Sequence, residues 1–174
     1  MADVAPSEAS VPGEEEAHKD SENRIQSFKY TKPEDFEATK GIIRLCHSDI
    51  LQGLVQVIKS GGENNLHFHE GMDTYWMVLK GRAAFYGPGD TLIAEYGPME
   101  GLMMPREARY WFAKASDDED LELLQIICYE DNINNTKRIN TSKRKIPAGA
   151  TPWFDATEDN AILDRSKRAD INDR

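Results

Sequence analysis

Apolar and polar positions alternate in short runs through the middle of the 174-residue chain, and glycine, proline, asparagine or aspartate closes each run. Such runs are typical of short β-strands separated by turns. The predicted strands are 25–30, 41–46, 52–59, the stretch around 67–69, 75–79, 82–86, 91–96, 101–105, 109–113 and 121–129. No run between residues 40 and 130 has a useful helical period. The pattern therefore predicts an all-β sandwich or barrel.

The two ends of the chain differ from this middle. Residues 1–24 contain only Val4 and Val11 as aliphatic side chains larger than alanine, apart from Met1. Such a segment buries too little apolar surface to offset the entropy of ordering it. Residues 131–174 are again mostly polar, with an apolar anchor at 152–154. We therefore predict a disordered acidic tail at 1–24, one barrel domain at 25–130 and a flexible, polar C-terminal extension at 131–174.

Charge and cysteine usage narrow the possible partners and the compartment. Acidic residues outnumber basic ones by 31 to 21, which gives a net charge of −10. This balance argues against binding to nucleic acids or to anionic membranes, because both need a cationic surface. The sequence has no apolar stretch of membrane-spanning length and no signal-peptide pattern at its start. Cys46 and Cys128 each end an apolar run, so we expect buried free thiols and a cytoplasmic protein.

The strongest chemical signal is a pair of histidines, His67 and His69, ahead of the predicted strand at 75–79. Positions i and i+2 of a β-strand face the same side, so both imidazoles should point together while Phe68 points away. Two inward imidazoles facing a neighbouring strand can hold a metal ion or move a proton. We therefore predict that any chemistry of this protein is done here.

The surrounding spacing resembles the first motif of the cupin superfamily, in which a glycine precedes a His-x-His pair, a glutamate and a closing glycine. Gly61 and the histidine pair match that motif. With three residues after the pair, the family glutamate falls on Asp73; with four, it falls on Thr74. Only the longer spacing brings Gly81 into register as the closing glycine.

The second cupin motif is matched less completely. Pro105 corresponds to its proline, Glu107 replaces its glycine, and Tyr110 stands where the family has a third metal-binding histidine. The resemblance covers about residues 41–128. It implies a single-domain cupin jelly-roll barrel with its site at the histidine pair.

The resemblance also implies a divalent metal, which cupins hold with three histidines and a glutamate. In this chain the ligands would be His67 and His69, with Asp73 or Tyr110 as the third. Such a set could take Fe, Zn, Ni, Mn or Cu, and no nucleotide cofactor is expected. The first hypothesis is therefore a cupin enzyme, metal-dependent and of oxygenase, isomerase or lyase/cyclase type, acting on a small organic substrate.

Two alternatives stay open at this point. One is a metal-free acid/base isomerase or epimerase of keto sugars that uses His67, His69 and Tyr110. The other is a non-catalytic barrel that binds a small ligand. In the enzyme hypotheses, the predicted substrate-binding residues are Trp76, Arg106 and Arg109, and both arginines could hold a carboxylate or phosphate. Placement of the arginines at the surface is the other interpretation.

A homodimer is also expected. A lone small barrel leaves edge strands open, and natural proteins cover such edges. The predicted strand at 25–30 and the anchor at 152–154 are the segments that could cross to a partner subunit. The cupin resemblance supports the same expectation.

Overall fold

A computed structural model of the chain describes residues 13–34, 36–130 and 138–163. Its elements in chain order are the helix α1 (Glu14–Glu22) and the strands β1 (Lys40–His47), β2 (Leu51–Ile58), β3 (His67–His69), β4 (Met72–Lys80), β5 (Ala83–Tyr86), β6 (Leu92–Tyr96), β7 (Gly101–Met104), β8 (Trp111–Lys114), β9 (Leu121–Tyr129), β10 (Arg138–Asn140), β11 (Trp153–Asp155) and β12 (Ala161–Ile162). The structure is mainly β, as the sequence predicts.

The strands form two layers. The first is a seven-stranded sheet with the order β12-β11-β1-β2-β9-β4-β7. The second combines the sheet β6-β5-β8 with the pair β10-β3. Two backbone hydrogen bonds join these parts: His67 N donates to Tyr110 O at 3.1 Å, and Tyr110 N donates to His67 O at 2.9 Å. The histidine strand is thereby continuous with the start of β8.

The core between the layers follows from the two-residue period of β4. Met72, Thr74, Trp76 and Val78 are buried, whereas the residues between them are partly or fully exposed. Trp76 and Val78 of this set belong to one core cluster with aromatic side chains of the second layer, including Phe112. Burial of each large apolar side chain stabilises the folded state by about 1.5–3 kcal/mol.

Gly81 lies between β4 and β5, at the position where the cupin spacing has its closing glycine. Gly81 has a φ of 77°, which a side chain would strain. A Cβ atom there would also lie 2.9 Å from the carbonyl oxygen of Asp120. This position explains why the motif closes on glycine.

Three short strands of the C-terminal extension, β10, β11 and β12, belong to the sheets, so the predicted barrel boundary at residue 130 is too early. β11 pairs in parallel with β1, which places Phe154 beside Ile43. β10 pairs with β3. These strands are three residues long and carry no clear alternation, so the sequence pattern could not reveal them. Residues 131–137 and 164–174 lie outside the described part of the chain.

The N-terminal expectations need two changes. Within the predicted tail at 1–24, residues 14–22 form α1, and the described side chains of this helix are exposed. The predicted strand at 25–30 is wrong, because this segment joins no sheet. It is held instead by a bond from Lys29 N to Ala156 O at 3.4 Å and by a bond from the Tyr30 hydroxyl to Glu122 at 2.7 Å. Residues 1–12 lie outside the described part.

Both segments that were expected to cross to a partner therefore make contacts within their own chain. The homodimer stays a prediction. The outer face of the seven-stranded sheet exposes apolar side chains on neighbouring strands, with Tyr75 opposite Met103. Both cysteines are free, as predicted, but Cys128 is exposed because it points outward from β9. Among the described helices, none has the length and apolar character needed to cross a membrane.

Candidate functional site

The fold brings His67, His69 and Tyr110 together. His67 and His69 alternate with Phe68 along β3, and their ring centroids lie 5.1 Å apart. Tyr110 is the backbone partner of His67, and these two rings lie 4.7 Å apart. His67 is 3% exposed and Tyr110 is 2% exposed. The site is thus a buried pair at the point where the two parts of the second layer join.

The hydrogen bond of His67 fixes its tautomer. Its Nδ1 lies 2.8 Å from the backbone oxygen of Asn65. A carbonyl oxygen can only accept, so Nδ1 carries the proton and Nε2 carries the lone pair. Burial, followed by the charges of Arg138 and His69, lowers the pKa of His67 well below 6.5. The imidazole is therefore neutral at pH 7, with one basic nitrogen.

The hydroxyl group of Tyr110 is protonated, so it complements the neutral, proton-accepting His67. Burial raises the pKa of its hydroxyl, while the positive charge of Arg138 and the nearby Trp76 indole act in the opposite direction. The net shift is upward, so the phenol keeps its proton at neutral pH. This side chain can donate a proton or a hydrogen bond, but it is not present as a tyrosinate.

Two cationic side chains that the sequence reading missed act on this pair. Arg138 lies directly opposite His69 in the β10-β3 register, and directly opposed residues share a face of the sheet. Its guanidinium donates to Asn65 Oδ1 at 2.7 Å. Asn65 therefore holds both His67, through its backbone oxygen, and Arg138, through its side chain. Arg138 lies beyond the predicted barrel boundary at residue 130, so nothing in the sequence pattern places it at the site.

Lys40 is the second missed cation. It is 8% exposed, and its Nζ lies 5.0 Å from the centroid of the Phe112 ring. Burial, followed by the charge of Arg138, lowers the pKa of Lys40 to about 7. None of the carboxylates in the described residues forms an ion pair with it. Lys40 lies two residues before Ile42 on β1, so both side chains face the same side of the sheet. This spacing is the sequence signal that could have indicated a buried lysine.

Asp73 and Thr74 settle which motif spacing applies. Thr74 is 2% exposed and points into the core, whereas Asp73 lies on the other side of β4. Asp73 Oδ1 accepts from the backbone N of Arg106 at 2.8 Å and from its Nε at 3.3 Å. These hydrogen bonds hold the pKa of Asp73 below its usual value. The turn before β4 breaks the parity with the histidines, so Asp73 is not grouped with them.

The predicted substrate-binding residues divide into two groups. Trp76 is fully buried beside the site, with its ring centroid 6.3 Å from that of Tyr110. Arg106 lies at the rim, where it pairs with Asp73 and with Glu130. Arg109 is exposed on the turn before β8. The structure therefore places neither arginine with the histidine pair.

The donor set does not fit a divalent metal. Functional sites generally supply three or more protein ligands, and the described residues contain no group of three His, Cys, Asp or Glu side chains that is arranged to hold a metal ion. The positions of the family's glutamate and third histidine hold Thr74 and the protonated Tyr110. Both are neutral oxygen donors, and the nearby charges of Arg138 and Lys40 oppose binding of a cation.

The interior contains two buried polar atoms without a hydrogen-bond partner among the described residues. One is the Nε1 of Trp76, which is near enough to Tyr110 to affect its pKa but makes no well-formed hydrogen bond. The other is the Oε1 of Gln56, whose Nε2 donates to Gln125 Oε1 at 2.6 Å. A donor and an acceptor are thus available inside the barrel.

Two surface cavities lie away from the histidine pair. One of about 170 Å³ is bordered by the start of β1, including Lys40, and by Lys145 and neighbouring residues of the extension. The other, of about 580 Å³, is an open groove between Lys32, Lys114 and the acidic turn at 117–120. The first places Lys40 next to an opening in the surface.

Comparisons with known proteins agree on the architecture. No protein-family model matches the sequence, and none of the curated proteins matches it. The chain is similar to the crystal structure of an uncharacterized conserved protein with a double-stranded β-helix domain from Klebsiella pneumoniae. The two share 14% identity with a TM-score of 0.51, over 82% of this chain and all (100%) of that one. The chain has the cupin fold.

Other solved cupins resemble it to a similar degree. A cupin superfamily protein from Desulfitobacterium hafniense is 21% identical with a TM-score of 0.49, over 61% of this chain and 98% of that one. KdgF from a Halomonas species is 15% identical with a TM-score of 0.48, over 59% and 91% of the two chains. Similarity at this level says nothing about activity, so the function has to be argued from the side chains.

Proposed function

We propose that this cupin is a metal-independent enzyme that moves a proton beside the carbonyl group of a small substrate, as isomerases and epimerases do. The observation that carries the proposal is the contact between a buried neutral His67 and a buried protonated Tyr110, 4.7 Å apart between ring centroids. One group can accept a proton while the other donates one. General acid and base groups of this kind contribute about 10²–10⁴-fold each to a rate.

The step assigns one role to each side chain. Nε2 of His67 accepts the proton from the carbon next to the carbonyl group. The electron pair of the broken C–H bond forms the enolate, and the hydroxyl of Tyr110 donates a hydrogen bond or its proton to the enolate oxygen. Return of the proton to the other face of that carbon, or to the neighbouring carbon, completes an epimerisation or an isomerisation. Positive charge from Arg138 stabilises the negative charge that develops.

The metal-dependent hypothesis has less support from the residues. It requires a third ligand, and Asp73 is engaged by Arg106 at the rim. Tyr110 would have to lose its proton, which burial opposes. The acid–base hypothesis uses the same residues in the protonation states that their surroundings favour.

The experiment follows proton exchange in D₂O by NMR. The full-length protein, purified without an affinity tag and treated with a chelator, is incubated with a panel of small 2-oxo acids and hydroxyketones. We expect loss of the proton signal next to the carbonyl for at least one compound. The variants His67→Gln and Tyr110→Phe should each lower the rate by about 100-fold or more. The exposed His47 and the outward Tyr86 provide matched controls, as His47→Gln and Tyr86→Phe.

Three outcomes would contradict the proposal. Exchange that the chelator abolishes and a divalent metal restores would favour the metal-dependent enzyme. Exchange that persists in both site variants would place the chemistry elsewhere. Absence of exchange with every compound would favour the non-catalytic binding barrel.

A further inference from the structure

Resting on the proposed function, we infer that the substrate is a small organic acid whose carboxylate binds between Arg138 and Lys40 inside the barrel. The two cations come from different layers, Lys40 from the seven-stranded sheet and Arg138 from the strand that pairs with β3. Neither belongs to the residues that correspond to the cupin metal site. The site would thus combine the acid–base pair with an anion-binding subsite of its own.

Arg138 is positioned before any ligand arrives. Its register opposite His69 turns it toward the histidines, and Asn65 accepts one of its hydrogen bonds at 2.7 Å. Asn65 is itself 3% exposed, and its Nδ2 donates to Ser142 O at 2.9 Å. A guanidinium held in this way can present its planar donors to a carboxylate, for which its geometry is well matched.

Lys40 supplies the second positive charge, and its surroundings leave that charge without compensation from the fold. Its Nζ faces the ring of Phe112, and no carboxylate in the described ranges is within ion-pair distance. A buried charge is costly unless it is paired. The carboxylate of a bound ligand would provide the missing partner.

The groups between the two cations favour an organic acid over an inorganic anion. Ring contacts run from Phe112 to Trp76, from Trp76 to Tyr110 and from Tyr110 to His67, with centroid distances of 5.0, 6.3 and 4.7 Å. These rings can cover a flat carbon skeleton. The unpartnered Nε1 of Trp76 and Oε1 of Gln56 can bond to polar atoms along it.

Binding should depend on pH through Lys40. The charged or titratable groups that interact with it are Arg138 from β10 and His67 from β3, and Lys145 borders the same cavity. Arg138 stays charged and His67 stays neutral near pH 7, so Lys40 is the group that changes. A carboxylate prefers protonated Lys40, and its affinity should therefore fall as the pH rises through about 7.

The test is a calorimetric titration of the full-length protein at constant ionic strength. The probes are pyruvate, 2-oxobutyrate, 2-oxoglutarate and phenylpyruvate, the uncharged amide pyruvamide, and inorganic phosphate. We expect at least one acid to bind, and pyruvamide to bind at least about 10-fold more weakly than pyruvate if pyruvate is that acid. Arg138→Gln and Lys40→Met should each weaken binding of the acid by about 10-fold or more.

Matched controls separate the subsite from general charge effects. Arg82→Gln and Lys80→Met remove exposed cations and should leave binding unchanged. Arg138→Lys keeps the charge and should restore part of the affinity lost in Arg138→Gln. If Arg138→Gln fails to fold, Lys40→Met still decides, because methionine preserves the volume of the lysine stem.

The inference is overturned if none of the acids binds, if the amide binds as well as its acid, or if both site variants bind normally. Phosphate binding as tightly as the best acid would overturn the choice of an organic acid. These failures are separable from failure of the proposed function. Binding that depends on Arg138 without any proton exchange defeats the proposed function alone. Proton exchange by the wild type, with binding of the acids that ignores both Arg138→Gln and Lys40→Met, defeats the subsite alone.

Discussion

The rim and the interior of this barrel treat positive charge in opposite ways. At the rim, Arg106 is partly exposed and pairs with the carboxylates of Asp73 and Glu130. In the interior, Lys40 is buried and faces an aromatic ring, and none of the carboxylates in the described residues forms an ion pair with it. A charged group at the solvent-exposed surface changes the free energy of folding little. A charged group buried in the core destabilises the fold unless it is paired. The contrast is that the fold compensates the rim cation with two carboxylates, whereas the described residues give Lys40 none.

Rebuilding the metal set inside the barrel should have the largest effect. Thr74 and Tyr110 occupy the positions of the family's glutamate and third histidine, so Thr74→Glu with Tyr110→His supplies four ligands together with His67 and His69. The new carboxylate would also give the interior the negative charge that the rim already has. We expect affinity for Ni²⁺ or Zn²⁺ to rise by roughly three orders of magnitude over the wild type, as measured by calorimetry.

The single variant Thr74→Glu and the triple variant with His67→Ala serve as controls, and both should bind more weakly than the double variant. Stoichiometric Ni²⁺ or Zn²⁺ binding by the wild-type protein at comparable affinity would show that the interior already suits a metal.

Removing the interior charge should stabilise the protein. The pKa of Lys40 is about 7 in the folded chain and 10.5 ordinarily, so burial of the charged form costs stability at every pH below 7. That cost diminishes between pH 7 and 10.5, where the unfolded chain alone still binds the proton. Lys40→Met should therefore raise the free energy of unfolding by about 3 kcal/mol at pH 6, measured by urea unfolding.

The gain from Lys40→Met should shrink steadily toward pH 10. Lys80→Met, at an exposed position, should show neither the gain nor its pH dependence. A destabilised Lys40→Met protein at pH 6 would mean that the lysine is compensated by the fold, as Arg106 is.

Removing a charge at the rim should have the smallest effect on stability. Asp73→Asn removes the charge, while its side-chain oxygen can still accept from the backbone N of Arg106. We expect a change in Tm of about 2 °C or less at pH 7, measured by calorimetry. The folded pKa of Asp73 is lowered, so the difference from wild type should vanish as the pH falls below 3.8. A large loss at pH 7 would remove the contrast between rim and interior.

The strands from β1 to β9 and the inward histidine pair could be predicted because they depend on a local two-residue period. The two-residue period could not be extended from the histidines to Asp73, because the turn after His69 shifts the parity of β4. The spacing that ends at Gly81 is the sequence feature that indicates Thr74 as the inward residue. Arg138 could not be predicted, since its place beside His69 depends on a pairing between strands far apart in the chain. Short strands formed by such pairing leave no pattern of their own.

If Arg138 binds the substrate as inferred above, the pairing of β10 with β3 separates the residues that do the chemistry from one that selects the substrate. His67 and Tyr110 belong to the walls of the barrel, whereas Arg138 arrives on a three-residue strand from the extension. Substitutions in that short segment could therefore retune which compounds enter, without disturbing the reactive pair or the packing beneath it. On that inference, we expect relatives that diverge only between residues 138 and 142 to share one chemistry and to differ in substrate.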